Sequence, residues 1–181
     1  MPCPFVRGMA TFELTAECVL ERSLSEVFAF FAEVRNLEAI TPPWLRFELR
    51  TRESIRMAAG TLVDYRLRLR GVPLSWRSEI SVWEPPFRFV DEQRRGPYRL
   101  WVHEHTFESS GSFTVARDRV RYSASGGALA NRLLVAPDLR RIFAFRQEAL
   151  TRRFGGRFTP VSIRRLGPDG SAGSKQRLAG G

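Results

Sequence analysis

Between Gly60 and Tyr122 the hydrophobic pattern keeps a period of two through strand after strand, broken only by short runs of Gly, Pro and Ser. Successive side chains of a strand face opposite ways, so each run has one apolar and one polar face. Connections this short join antiparallel neighbours, because a parallel crossover needs a dozen residues or more. This stretch therefore predicts consecutive strands at 60–70, 73–83, 87–94, 99–109 and 112–123, with a further one at 44–50. In the first, Leu67 and Leu69 alternate with Arg66, Arg68 and Arg70, and in the next Leu74, Trp76, Ser78, Ile80 and Val82 line one face.

The flanks of this sheet read differently. Residues 12–20 alternate as a half-buried strand with Phe12, Leu14, Ala16, Cys18 and Leu20 inward. Ser23 and Glu26 make a capping box ahead of Leu24, Val27, Phe28, Phe31 and Val34 at helical spacing. Asn36 is placed to cap a second short helix carrying Leu37 and Ile40, which Pro42 and Pro43 stop. After a short turn at 128–135, Pro137 suits the first position of a long helix. Leu139, Ile142, Phe143, Ala149, Leu150 and Phe154 form its apolar stripe, and Arg140, Arg141, Gln147 and Arg152 are expected to face water.

The expectation is an α+β fold: a seven-stranded curved antiparallel sheet around a long C-terminal helix, with two short helices after the first strand. The division runs 1–9 as a flexible extension, 10–154 as the domain, and 155–181 as a disordered basic tail. Met9 is as reasonable a start as Met1. With neither a signal-peptide h-region nor a long apolar run, the expected location is the cytoplasm. Cys18, on the apolar face of its strand, reads as a buried thiol rather than a disulfide or metal ligand.

The net charge of +10 raises the question of nucleic acid, but 28 of the 29 basic residues are arginine. From Arg152 to the end seven basic residues stand against Asp169, so over half of the excess lies in that last stretch, helix end and tail together. Arg66, Arg68, Arg70, Arg117, Arg119 and Arg121 fall on outward faces without interleaved aromatics, so no specific nucleic-acid platform is expected. Weak contact of the tail with an anionic membrane surface is the remaining option.

Both histidines of the chain, His103 and His105, share one strand face with Trp101 and Phe107. A hairpin turn centred on Ser110 and Gly111 sets His103 opposite Asp118 and Trp101 opposite Val120. The preceding hairpin brings Asp91 to His103 and Phe89 to His105. His103, Asp118, Asp91 and Gln93 then form a buried polar group amid aromatics. Three uses fit it: a mutually satisfied network, a rest for the polar head of an apolar ligand, or acid–base chemistry by a histidine oriented by Asp. A His-x-His pair with a nearby Asp can also ligate zinc or iron, but with neither Cys nor a third His no metal and no tightly held cofactor are expected. Tyr65, Trp76, Phe89, Asp91, Gln93, Trp101, His103, His105, Phe107, Asp118, Tyr122 and Phe143 are the candidate ligand contacts. His103, His105, Asp91 and Asp118 are the candidates for catalysis. Trp44, after Thr41-Pro42-Pro43, is a candidate for the mouth of the site.

The order of elements, with residues 35–44 (RNLEAITPPW), 91–98 (DEQRRGPY), 101–107 (WVHEHTF) and 118–122 (DRVRY), resembles the bacterial cyclase/dehydrase-like branch of the SRPBCC/START superfamily. The resemblance spans roughly residues 10–154. It departs in its long basic tail and in lacking a proline at Ala124-Ser125. It implies the helix-grip fold, with a pocket for an apolar molecule between the concave sheet and the last helix. On that basis the chain is expected to bind a hydrophobic ligand such as a lipid, quinone, isoprenoid or polyketide in a cavity of at least ~300 Å3. The alternatives are a cyclase or dehydratase using a His/Asp pair, and a module docking through its basic tail.

Overall fold

A computed structural model describes residues 10–51 and 55–167. The expected extension at 1–9 and the residues from 168 onward lie outside the described residues. Eight strands form one antiparallel sheet: β1 (Phe12–Leu20), β2 (Glu48–Leu49), β3 (Leu62–Leu69), β4 (Val72–Glu84), β5 (Arg88–Arg95), β6 (Tyr98–Ser110), β7 (Phe113–Ala124) and β8 (Gly156–Arg165). Their order across the sheet is β2-β3-β4-β5-β6-β7-β1-β8. Helix α1 (Leu24–Ala32) begins with the capping box, its Ser23 hydroxyl accepting from the Glu26 amide and Glu26 reaching back to the Ser23 amide.

The second helix is a 3-10 segment, Val34–Ile40, capped by Glu33 rather than Asn36. The Asn36 amide instead donates to the Phe30 carbonyl at 2.9 Å and fastens the segment to α1. A shorter 3-10 turn at Pro43–Leu45 takes the first residues of the expected strand 44–50, so that only Glu48 and Leu49 pair with β3.

Between β7 and β8 the chain is helical almost throughout: α2 (Gly127–Ala130), a π turn at Asn131–Val135, and α3 (Ala136–Phe154). Pro137 therefore stands inside a longer helical run. It cannot donate to the Leu133 carbonyl, and the widened π turn lies where that bond is missing.

The expected disorder from 155 is overturned over ten residues, because β8 pairs antiparallel with β1 from Leu20↔Gly156 to Phe12↔Arg165. Gly155 and Gly156 make this possible. Gly155 follows α3 at φ +74°, and a Cβ on Gly156 would stand 1.9 Å from the Val19 carbonyl oxygen. Arg164 of β8 is also paired: it and Arg119 of β7 both bind Glu13, which is 1% exposed between them. Burial pushes the Glu13 carboxyl up, but the bonds from Arg119 and Arg164 outweigh it and leave it below its ordinary range.

The concave face carries two apolar layers. One joins Cys18, Leu20, Phe28, Phe30, Ile80, Phe89, Phe107, Leu150 and Phe154, and the other joins Phe12, Leu14, Ala16, Val120, Tyr122, Leu139 and Phe143. Among the described residues no helix is long and apolar enough to cross a membrane.

Candidate functional site

Three elements each place one stretch of polar chain between those two layers. On β6, His103 and His105 lie between Trp101 and Phe107; on β7, Asp118 lies between Ala116 and Val120; on α3, Arg146 lies between Phe143 and Leu150. The buried polar band is thus built by register.

That register differs from the expected one by two residues. The β6–β7 turn centres on Gly111 and Ser112, so Asp118 pairs with His105 and Val120 with His103. Gly111 takes φ +63°, the left-handed conformation such a turn requires. A two-residue slip preserves the face, and the carboxylate still meets His103 diagonally: Asp118 Oδ1 is 2.9 Å from His103 Nε2. On the other side the pairing is as expected, Asp91↔His103 and Phe89↔His105.

The result is a closed ring of contacts. Asp118 Oδ1 also lies 2.9 Å from His105 Nδ1, while Asp91 Oδ2 lies 3.2 Å from His105 Nε2 and 3.4 Å from His103 Nδ1. Each imidazole is held between two carboxylates, and the ring centroids are 3.8 Å apart. Phe89 stacks on His105 at 4.1 Å, and the edge of Phe143 meets His103. Asp91 Oδ1 accepts from the Ser78 hydroxyl, which accepts from Trp76 Nε1.

Arg146 completes the group. Its guanidinium bonds both oxygens of Asp118, at 3.1 and 3.3 Å, and approaches His105 Nδ1 at 3.4 Å. Burial pushes the Asp118 carboxyl up, but Arg146 and the two imidazoles pull it well below the carboxylate range. Burial likewise opposes ionisation of Asp91, and the histidine contacts and Ser78 overcome it. His103 goes the other way: burial and His105 depress its basicity against the pull of Asp118 and Asp91.

A cavity of about 210 Å3 opens above this cluster. The volume is smaller than the ~300 Å3 expected. Its wall is mostly apolar and aromatic, including Phe31, Leu37, Leu67, Leu74 and Ile142, with one polar group at Ser78, Asp91, His103, His105 and Arg146 and another at Glu33, Asn36 and Thr41.

Of the candidate contacts, Tyr65, Trp76, Phe89, Asp91, Trp101, His103, His105 and Phe143 line this cavity. Burial, and then the Asp91 charge, raise the Tyr65 phenol well above its usual value. The other four are placed elsewhere. Gln93 holds the β5–β6 hairpin, its amide donating to the Tyr98 carbonyl and its oxygen accepting from the Tyr98 amide. Phe107 packs against Phe28 and Phe31, and Tyr122 stacks on Phe12 while donating to Asn131. Asp118 lies behind the histidines rather than in the wall. Trp44 is also absent from the wall; it sits against Phe145, 47% exposed.

Two polar residues of α3 were missed. Arg146 falls three residues after Phe143 and four before Leu150, so helical spacing alone puts it on the buried stripe. Gln147, expected in water, is 1% exposed and donates to the carbonyls of Glu17 and Thr159. Only β8 supplies the second of these partners.

The fold is shared with solved structures of low identity. TTHA0849 from Thermus thermophilus is 19% identical, with 78% of this chain and 95% of that one covered at a TM-score of 0.59. Major latex-like protein 151 from Panax ginseng is 10% identical over 80% of this chain and 97% of its own, at 0.57. A nucleoside-diphosphate sugar epimerase from Corynebacterium glutamicum is 22% identical over 76% of this chain but only 28% of its own, at 0.56. No curated protein matches by sequence. Residues 20–151, from the end of β1 to the last turn of α3, match the family described as polyketide cyclase/dehydrase and lipid transport. The chain belongs to the polyketide cyclase/dehydrase and lipid transport family.

Proposed function

We propose that the cavity binds a hydrophobic small molecule of the lipid, quinone, isoprenoid or polyketide-like class, whose polar end rests on the cluster at its floor. The observation that carries this reading is the make-up of the wall: mostly apolar and aromatic, with the histidine–carboxylate–arginine cluster at one place and Glu33, Asn36 and Thr41 at another. Such a surface binds by apolar burial and orients by a few convergent polar groups. The volume favours a compact ligand, or the head of a longer one. The test is mass spectrometry of organic molecules co-purifying with the protein, beside an engineered Leu74→Trp variant that fills the wall. A stoichiometric apolar compound present in the wild type and lost in the variant supports the reading. If neither protein carries a compound and an apolar fluorophore gains no emission with the wild type, the reading fails.

A second reading is favoured by the His103–Asp118 pair. A weakly basic imidazole 2.9 Å from an ionised carboxylate suits a general base in a cyclisation or dehydration. It predicts that His103→Ala abolishes turnover of a bound substrate while ligand affinity and fold persist. Docking through a basic tail has less to stand on, because residues 156–165 are engaged as β8 and Arg164 is tied to Glu13.

A further inference from the structure

We propose that Asp91, His103 and His105 bind a divalent first-row transition-metal ion, zinc or ferrous iron, at the floor of the cavity. Their ligand atoms lie within 4.8 Å of one another. Asp91 Oδ2 stands 3.2 Å from His105 Nε2 and 3.4 Å from His103 Nδ1. Two atoms bound to one ion at about 2.0–2.1 Å, at a tetrahedral angle, stand roughly 3.3–3.4 Å apart. Both distances from Asp91 therefore suit a shared ion, with all three ligand atoms inside 4.8 Å.

The surroundings are those a metal site requires. A ligating histidine normally gives its other ring N–H to a carboxylate, which fixes the tautomer. Asp118 Oδ1 is 2.9 Å from the rear nitrogen of both rings, His103 Nε2 and His105 Nδ1. Arg146 keeps that carboxylate in place from behind. The Ser78 hydroxyl occupies Asp91 Oδ1 and leaves Oδ2 for the front.

With both N–H groups turned to Asp118, two imidazole lone pairs face a carboxylate oxygen that is itself only an acceptor. A metal ion resolves that opposition; a second proton on each ring would do the same, and the titration below separates the two. In another neutral arrangement His105 donates to Asp91 and accepts from Arg146 at 3.4 Å. A neutral His103 still has one proton for two carboxylates, Asp91 and Asp118. Arg146 offsets the charge of Asp118, so the front of the cluster keeps one net negative charge, from Asp91. Two imidazoles and one carboxylate suit zinc or iron better than magnesium or calcium. Tyr65, Trp101 and Phe143 stand around the cavity side, where the remaining coordination positions would meet a ligand's polar end. The assignment stands on the geometry of the cluster and does not depend on which apolar molecule the cavity takes.

The experiment uses the full chain without a histidine tag, stripped with chelator and titrated with cobalt(II) alone and zinc(II) alone. Both histidines of the chain are in the cluster, so imidazole coordination has no other source. Expected are one equivalent of ion bound, visible absorption bands from the cobalt form, and affinity at least 50-fold weaker in Asp91→Asn and His105→Gln. Asp118→Asn should lose about 10–100-fold. Should the variants not fold, nitrogen NMR of the wild type decides: zinc must shift His103 Nδ1 and His105 Nε2, not the nitrogens facing Asp118. No saturable binding of either ion at millimolar concentration, or unshifted imidazole nitrogens, overturns the proposal. No apolar ligand is needed for any reading, so its failure is separable from that of the ligand-binding proposal.

Discussion

Replacing Arg146 by methionine should be among the most destabilising single changes in the protein. Methionine retains much of the side chain's volume, so the change removes charge without opening a large hole. Left behind is Asp118, about one-tenth exposed, which now holds 3.1 and 3.3 Å bonds to the guanidinium. At an effective dielectric of about 20, a pair this close attracts by roughly 5 kcal/mol. Part of that returns because the arginine is no longer desolvated, and the two imidazoles still reach the carboxylate. Removing one partner of a buried pair costs about 3–5 kcal/mol, and that is the loss expected in urea unfolding followed by tryptophan emission. The double variant Arg146→Met/Asp118→Asn removes the stranded charge and should recover at least ~2 kcal/mol relative to additivity. A loss below about 1 kcal/mol for Arg146→Met, or strict additivity, would refute the claim that this guanidinium offsets a buried carboxylate.

Gln93→Ala should cost about 1–2 kcal/mol through its two hairpin bonds to Tyr98. It should leave uptake of an apolar fluorophore unchanged, because the side chain is outside the cavity wall. Glu13 has a folded pKa below its unfolded value of about 4.3, so its contribution to stability is full above that pH and is lost as pH falls through the folded value. Acid unfolding of Glu13→Gln should accordingly show a shallower loss below pH 4.3, read by circular dichroism. Burial, and then the Asp118 charge, raise the Cys18 thiol to about 12. Peptide mapping after treatment with a disulfide reagent at pH 8 should find Cys18 modified only when urea is present.

Much of the sheet was legible because alternation is a local property. Strands β3 to β7 fall within two residues of their expected ends, and the Asp91–His103 pairing followed from a short hairpin. The β6–β7 register was off by two because Ser110-Gly111 and Gly111-Ser112 are both reasonable turn centres, and periodicity cannot choose between registers of the same parity. Strand β8 was missed for another reason. Its glycine pair, read as the start of a loose tail, is what lets the backbone approach Val19 closely, and its sequence mixes exposed arginine, serine and threonine with exposed Phe158 and Pro160 rather than alternating cleanly. Its ladder partner is β1, more than 130 residues earlier in the chain. Arg146 was legible in principle, since its phase on the helix is that of the apolar stripe. The expected stripe passes over it because it is charged, while its neighbour Gln147 is expected in water and is buried.

Strand β8 also changes the mechanics of α3. A terminal helix ending in a free tail can lift like a flap, but this one is a beam fixed at both ends. Its N-terminal side continues through the π turn and α2 to β7, and its C-terminal side is sewn to the sheet by β8 and by Gln147 reaching Glu17 and Thr159. To raise the far end, the β1–β8 ladder would have to unzip. The compliant stretch is instead the π turn, where Pro137 has removed a helical bond and the tip of the β3–β4 hairpin is held by Arg70, which pairs with Asp138 and donates to the Leu134 carbonyl. On the ligand-binding proposal, entry is expected at that end of the helix, at a rate that rises with salt as that pair is screened.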